Sequence, residues 1–204
     1  MIAVIDFDIG NINAVVSMLQ RLGLKCQITT SSQVVEQADR IILPGNGAFD
    51  ACMRNLRSSG LVPVLEQRVL LHRVPVLGIC VGAQMLGNGS AEGKELGLGW
   101  IDMEVHRFPM LQNLRVPHMG WNQVKATFPE HPLSEGITQD SRFYFVHSYY
   151  MVPKDSDELL FQAEYGLSFA AGVVRDNIAG VQFHPEKSHR FGKQLLKSFS
   201  RWAP

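Results

Sequence analysis

The first half of the chain alternates short apolar runs with segments of helical periodicity. Residues 2–6 form an apolar run, and apolar side chains then recur at helical spacing from Ile12 to Leu22. The pair is repeated by residues 40–43 and 49–56, and a helical segment at 61–72 precedes a further apolar run at 74–79. Because parallel strands need helical crossovers, the pattern predicts an α/β fold with a mostly parallel central sheet flanked by helices.

The second half of the chain has a different pattern. β-type runs at 98–105, 142–150, 169–174 and 178–183 have little helical periodicity between them, which predicts an antiparallel β extension. Asp176 and Asn177 are typical of a hairpin turn between the last two runs. Apolar residues from Phe191 to Trp202 predict a C-terminal helix. With no linker or repeat in view, we expect one domain over residues 1–204.

The charge balance restricts the kinds of partner. Lys plus Arg and Asp plus Glu each total 19, and no basic run exceeds two residues, so we expect neither nucleic acid nor an anionic membrane as a partner. The chain begins with a strand-like run rather than a charged leader, and its longest apolar stretch is too short and too interrupted to span a bilayer. We therefore expect a cytoplasmic protein.

The cysteines are few and widely spaced. Cys26, Cys52 and Cys80 make an odd number without close pairs, which indicates neither a disulfide framework nor a zinc site. We expect free thiols, no metal and no cofactor.

Cys80 is the candidate nucleophile. The apolar run at 74–79 leads into Gly-x-Cys-x-Gly, with Gly78 and Gly82 two residues either side of the cysteine, and a helix-compatible segment follows. Such a strand-turn-helix raises the nucleophile above the sheet and crowds the two flanking positions, which favours glycine there. The N–H groups of the next turn would favour a thiolate and bind a developing oxyanion. The alternative is a packed structural turn.

His184 is the candidate base among seven histidines. It closes the apolar strand 178–183, Pro185 then ends the strand, and Glu186 follows two residues later. A carboxylate so near can fix the tautomer and orientation of the imidazole. We expect little function of His72, His106, His131 and His189.

These motifs carry a family resemblance. Residues 78–84 together with 180–186 resemble the class I glutamine amidotransferases, which are cysteine-histidine-glutamate glutaminases. Residues 117–122 and 144–149 are similar to those of the glutaminase subunits of imidazole glycerol phosphate synthase, from histidine biosynthesis. Residues 44–49 and 186–188 also fit, so the resemblance spans essentially the whole chain.

The resemblance implies a flavodoxin-like fold and hydrolysis of glutamine to glutamate and ammonia through a thioester. It makes Cys80 the nucleophile, His184 the general acid/base and Glu186 the orienting carboxylate. Its other implied site residues are the oxyanion-hole positions Val81, Asn46 and Gly47, which act through the backbone, and the glutamine-binding positions Gln84, Glu92, His147 and Ser148.

The resemblance also implies a partner, a separate cyclase or synthase subunit with a (β/α)₈ barrel that binds as a heterodimer and receives the ammonia. Such a barrel needs about 250 residues, and the 204 residues here are already accounted for by the glutaminase domain. The implied docking face comprises Pro117, His118, Met119, Gly120, Trp121, Asn122 and Lys187.

Other functions remain open at this stage. Asp8, Asn46 and Ala83 depart from the usual family pattern, and paralogues of the family supply ammonia for amidino groups on bacterial surface sugars. Two other classes are a catalytically silent binding module and a cysteine hydrolase or peptidase of similar architecture. Release of ammonia from free glutamine distinguishes the glutaminase from both.

Overall fold

The computed structural model describes residues 1–8, 11–110, 112 and 114–204. Within these ranges a parallel sheet forms the centre of the molecule. Its strands are β1 (Ile2–Ile5), β2 (Cys26–Thr29), β3 (Arg40–Gly45), β4 (Val76–Cys80) and β13 (Ile178–Val181), in the spatial order β2-β1-β3-β4-β13. Each neighbouring pair in this order is parallel.

Antiparallel strands extend the sheet beyond β13. The extension contains β12 (Ser168–Arg175), β10 (Tyr149–Pro153) and β6 (Met103–Arg107), and the short β5 (Gly89–Ser90) lies parallel to β6 at its edge. The strand β11 (Leu159–Glu164) pairs with β12, and β8 (Lys125–Ala126) pairs with β11. A separate antiparallel pair is formed by β7 (His118–Gln123) and β9 (Arg142–His147).

Helices cover the parallel strands. They are α1 (Ile12–Arg21), α2 (Ser32–Glu36), α3 (Phe49–Ser58), α4 (Val62–Glu66), α5 (Val81–Gln84) and α6 (His189–Arg201), and α4 continues as a π-helical turn at Gln67–Leu71. Single 3₁₀ turns lie at Pro132–Ser134, Ser156–Glu158 and Pro185–Lys187. Across the described ranges, no helix combines the length and the apolar character that crossing a membrane requires.

The predicted fold class is confirmed, and the periodicities explain why. The helices α1 and α3 bury their apolar stripes against the sheet, while β1, β4 and β13 are buried along their whole length. Strands covered on both faces have no polar side to present, which explains their continuous apolar sequences. The predicted hairpin is also present, because Arg175 pairs with Ile178 across Asp176 and Asn177.

Two predicted strands differ from the structure. In the run 98–105 the strand begins only at Met103, because the N–H groups of Leu98 and Trp100 bond instead to the carbonyls of Met85 and Leu86. The run 142–150 is divided at Ser148 into β9 and β10, which belong to different sheets. The sequence does not predict the strand β7. Its side chains alternate between more and less buried positions, but the buried first position is a histidine rather than an apolar residue.

Candidate active site

The predicted site residues meet at the carboxyl ends of neighbouring parallel strands. Cys80 is the last residue of β4, where it pairs with Gly45 at the end of β3. The strand β13, on the other side of β4, ends at Val181 and leads to His184. Loops that leave adjacent parallel strands at one edge converge there, the usual position of a binding site in an open α/β sheet.

Cys80 occupies a sharp turn between β4 and α5. Its φ of 55° and ψ of −115° lie in a region that side-chain-bearing residues rarely adopt, and such strain is typical of functional positions. A Cβ on Gly78 would lie 2.6 Å from the Cα of Ala83, and one on Gly82 would collide with the carbonyl of Leu43. The close approach of the backbone therefore requires glycine at both positions, as the sequence predicts.

The helix after Cys80 is short. The helix α5 has four residues, so its dipole is small. An anion at this turn would therefore be bound by the free N–H groups of the first helical turn. A third glycine brings the β3 loop close, because a Cβ on Gly45 would collide with the backbone of Gly82.

His184 and Glu186 form a buried pair. Nδ1 of His184 lies 2.7 Å from Oε1 of Glu186, and the two side chains are 4% and 3% exposed. The backbone N–H of His184 donates to the carbonyl of Tyr144 at 2.9 Å, and the backbone carbonyl of His184 accepts from the Ser188 hydroxyl at 2.6 Å. These contacts hold the imidazole at the end of the sheet.

The surroundings of His184 favour its charged form. Burial lowers the pKa of the imidazole, but interactions with Cys80 and Glu186 outweigh burial and raise it to about 9. The second ring nitrogen, Nε2, is buried and makes no hydrogen bond to nitrogen or oxygen within the described ranges. An imidazolium beside a thiol favours the nucleophilic thiolate.

A cavity of about 220 Å³ opens onto Cys80 and is lined by the predicted oxyanion and glutamine-binding positions, whereas His184 and Glu186 do not line it. It is lined by Asn46, Gly47, Cys80, Val81, Gln84, Glu92, Pro117, Val146, His147, Ser148 and Tyr149. The structure thus brings together the predicted oxyanion and substrate residues, although the prediction was made from separate motifs. A larger cavity of about 840 Å³, which Asp102 and Trp202 help to line, contains none of the predicted site residues.

Glu92 connects two loops of this cavity. Its Oε2 accepts the N–H of Phe49, the first residue of α3, at 2.9 Å. In return, Asp50 accepts the N–H groups of Lys94 and Glu95 at 3.0 Å each. The loop that carries Glu92 is therefore hydrogen-bonded to α3, the helix that follows Asn46 and Gly47.

Sequence reasoning missed Gln182, which contacts the sulfur. It is fully buried, and its Nε2 lies 3.8 Å from Sγ of Cys80 while its Oε1 accepts from Nε2 of Gln84 at 3.0 Å. The available signal was one polar residue inside the otherwise apolar run 178–183, because a buried amide needs partners.

Two positions that depart from the usual pattern have structural correlates. Asp8 has a φ of 62°, a region that favours glycine. The side chain of Asn46 is exposed, while its carbonyl accepts from the thiol of the buried Cys52 at 3.7 Å. Burial raises the pKa of Cys52 to about 11, so the thiol keeps the proton that it donates. Nothing in the structure explains Ala83 beyond its close packing against Gly180.

The expected docking face is only partly exposed. Along β7 the side chains of Met119 and Trp121 are 66% and 47% exposed, whereas His118 is 3% exposed and faces the interior. Trp121 stacks on the His189 ring at 5.3 Å between ring centroids. The ammonium of Lys187 lies 5.6 Å from the centre of the Tyr144 ring.

Metal ligands are not grouped in this site. Within the described ranges, no three His, Cys, Asp or Glu side chains are arranged so that they could hold a metal ion.

Comparison with known proteins agrees with the family resemblance of the sequence motifs. The sequence profile of the family described as glutamine amidotransferase class-I matches residues 3–201. The chain is 57% identical over 199 residues to imidazole glycerol phosphate synthase subunit HisH 2 of Pseudomonas aeruginosa, with 98% of each chain covered. It is 42% identical over 203 residues to a protein of the same name from Methanococcus maripaludis, with 100% of each covered.

Solved structures share the fold at low sequence identity. PurLQS from Thermotoga maritima matches with a TM-score of 0.76 at 15% identity, over 98% of this chain and 97% of that one. A structure described as glutamine amidotransferase matches with a TM-score of 0.73 at 20% identity, over the same shares of the two chains. At this identity the likeness concerns the fold.

Proposed function

Because this chain belongs to the class I glutamine amidotransferase family, we propose that it is the glutaminase subunit of an imidazole glycerol phosphate synthase. It hydrolyses glutamine to glutamate and ammonia and delivers the ammonia to a cyclase subunit. The observation that carries the proposal is the buried His184–Glu186 pair, whose imidazole interacts with Cys80, and Cys80 in turn lines the cavity.

The first half of the reaction forms a thioester. The Cys80 thiolate attacks the side-chain carbonyl carbon of glutamine, and the oxyanion that develops accepts hydrogen bonds from the N–H of Val81 and from one in the Asn46–Gly47 loop. The carbon–nitrogen bond then breaks, and the His184 imidazolium gives its proton to the leaving nitrogen, which departs as ammonia. Glu186 keeps the ring in the orientation that this transfer needs.

The second half regenerates the thiolate. Neutral His184 accepts a proton from a water molecule, whose oxygen attacks the thioester carbonyl. The carbon–sulfur bond breaks, glutamate is released, and Cys80 and the imidazolium are restored. Gln84, Glu92, His147 and Ser148 hold the substrate, a role supported by their position on the same cavity.

The acceptor is a separate subunit. Ammonia is mostly protonated in neutral water and then no longer nucleophilic, so the released molecule needs a protected path to its acceptor. The names of the relatives favour the cyclase of imidazole glycerol phosphate synthase over an enzyme that builds amidino groups on surface sugars. We propose a cytoplasmic heterodimer with a (β/α)₈ cyclase, which the exposed Met119 and Trp121 contact beside the cavity.

The test measures both reactions in the reconstituted complex. Wild-type chain with the cyclase is expected to form imidazole glycerol phosphate with glutamine or with ammonium salts, whereas Cys80→Ser retains only the ammonium-dependent reaction. Cys26→Ser is the matched control and keeps both reactions, because Cys26 lies on β2, away from the cavity. Glutamine-dependent synthesis by Cys80→Ser would refute the nucleophile, and amidation of a sugar instead would refute the acceptor.

A further inference from the structure

His118 and His147 form a buried pair, of which His147 lines the cavity. The chemistry above uses neither His118 nor the hydrogen bond between the two rings. The two rings are 3% and 6% exposed, and Nδ1 of His118 lies 2.9 Å from Nε2 of His147. A hydrogen bond between two imidazoles needs one donor and one acceptor, so the contacts at the outer ends of the pair determine where the protons lie.

Asn122 fixes the outer end of the pair. Its Oδ1 accepts the N–H of Gln123 at 2.8 Å, and its Nδ2 donates to the carbonyl of Glu164 at 2.8 Å. The same Nδ2 lies 3.3 Å from Nε2 of His118, which must then accept. The proton of His118 is therefore on Nδ1, where it is donated to His147.

Tyr149 fixes the inner end of the pair. Because Nε2 of His147 accepts from His118, the proton of His147 is on Nδ1, which lies 2.7 Å from the carbonyl of Tyr149. Both rings are then neutral Nδ1–H tautomers. Burial lowers the pKa of His118 to about 4 and that of His147 to about 3, which agrees with neutral rings at physiological pH.

The same Tyr149 carbonyl holds the amide of Gln84. Nε2 of Gln84 donates to this carbonyl at 3.2 Å and to Oε1 of Gln182 at 3.0 Å, which uses both of its protons. Oε1 of Gln84 is left as a buried acceptor without a partner in the described part of the chain, on a residue that lines the cavity. Gln182 then reaches Sγ of Cys80 with its Nε2.

We propose that His118 and His147 are positioning residues that hold the Tyr149 carbonyl and thereby fix the Gln84 amide with its oxygen as the free acceptor for glutamine. The inference rests on the proposed glutaminase function. Glutamine carries N–H donors, which match a free acceptor. If the Tyr149 carbonyl moved away, the amide of Gln84 would lose the partner that determines its orientation, and glutamine would bind less tightly.

The kinetic test compares two substitutions of the same histidine in the full chain with its cyclase. His118→Phe keeps an aromatic ring between Tyr165 and Phe145 but removes both hydrogen bonds, and it is expected to raise KM for glutamine about tenfold with a smaller change in kcat. His118→Asn places an amide donor near the position of Nδ1 and is expected to restore KM to within about threefold of wild type. His106→Phe, on an exposed position of β6, is the control with unchanged kinetics.

The changes in KM and kcat distinguish a positioning role of His118 from a loss of folded protein. A variant that only folds poorly has fewer active molecules, which lowers kcat and leaves KM unchanged. An unchanged KM in His118→Phe, or equal KM values in His118→Phe and His118→Asn, would overturn the proposal. If wild type itself does not hydrolyse glutamine, the proposed function fails instead.

A second measurement does not depend on activity. Nitrogen-15 NMR of histidine-labelled wild-type chain is expected to show His118 and His147 as Nδ1–H tautomers at pH 7, assigned by the loss of one signal in each single variant. An Nε2–H tautomer or a charged ring at either position would contradict the chain of donors on which the proposal depends.

Discussion

Nδ1 of His184 and Oε1 of Glu186 lie 2.7 Å apart although both side chains are almost fully buried. Each side chain is costly to bury alone, and the contact between them gives one polar atom of each a partner. Since the Glu186 carboxylate accepts from Nδ1, the opposite nitrogen, Nε2, is the one that can exchange a proton with Cys80 and with the substrate.

Glu186→Gln tests this arrangement. The amide has the same shape but cannot stabilise an imidazolium as a carboxylate does, so kcat for glutamine hydrolysis is expected to fall by about 10²-fold or more. Gel filtration of the variant with the cyclase measures whether the complex still forms, and ammonium-dependent synthesis measures whether the cyclase itself is active. A kcat within about threefold of wild type, roughly 0.65 kcal/mol of barrier, would show that the carboxylate is not needed.

Gly82→Ala tests the close approach of β3 to the turn at Cys80. The added methyl would collide with the Leu43 carbonyl, which belongs to a buried strand and has little freedom to move. We expect a loss of about 2 kcal/mol or more in the free energy of unfolding, measured by urea denaturation. Gly89→Ala is the matched control, because the atom nearest to its Cβ is a glutamate oxygen at 3.8 Å. Equal stability of the two variants would contradict the predicted crowding.

Three histidines give the free energy of unfolding a pH dependence with a known sign. His118 and His147 have folded pKa values of about 4 and about 3, below the reference of 6.5, so their contribution is present above pH 6.5 and is lost as the pH falls towards these values. His184 has a folded pKa of about 9, so its contribution is present below pH 6.5 and is lost as the pH rises through 9.

The contribution of His118 can be isolated with a variant. Between pH 5 and 6, His118→Asn is expected to have a pH slope of unfolding free energy that is lower than that of wild type by about 1 kcal/mol per pH unit. His106→Asn, on the exposed part of β6, is the control with the wild-type slope. Identical slopes in wild type and His118→Asn would show that His118 is protonated alike in the folded and unfolded chain.

Trp121→Ala tests the proposed docking face. Trp121 is 47% exposed on β7 and stacks on the ring of His189. Because truncation of a buried interface aromatic costs at least about 2 kcal/mol, affinity for the cyclase is expected to fall about 30-fold. Phe128→Ala, at an aromatic that is 37% exposed outside β7, is the matched control with wild-type affinity. Equal affinities of the two variants, after circular dichroism confirms folding, would exclude this face.

Much of the fold could be predicted from the sequence because its signals are local. The steric need for Gly78 and the turn at Asp176–Asn177 depend on neighbours within a few residues, and the structure agrees with both. The turn motif also predicts Gly82, although the atom that excludes a side chain there is the distant Leu43 carbonyl. Buried parallel strands read as apolar runs for the same reason.

Other features depend on long-range pairing and were not predictable. The strand β7 is defined by its partner β9, and its first residue is a histidine that is buried against distant residues such as Phe145, His147 and Tyr165. The link from Gln84 to Gln182 joins residues 98 positions apart. Because such hydrogen bonds satisfy groups that are polar in sequence and buried in the fold, no periodicity in the sequence indicates them.

The most direct test of the account identifies the atom that carries the acyl group. The chain is incubated with an electrophilic glutamine analogue that alkylates nucleophilic cysteines, digested, and mapped by mass spectrometry, with excess glutamine as the competitor. We predict one adduct on Cys80, suppressed by glutamine and absent from Cys26 and Cys52. An adduct on Cys26 or Cys52 with none on Cys80, or labelling of Cys80 that glutamine does not suppress, would contradict the assignment of Cys80 as the nucleophile of a glutaminase.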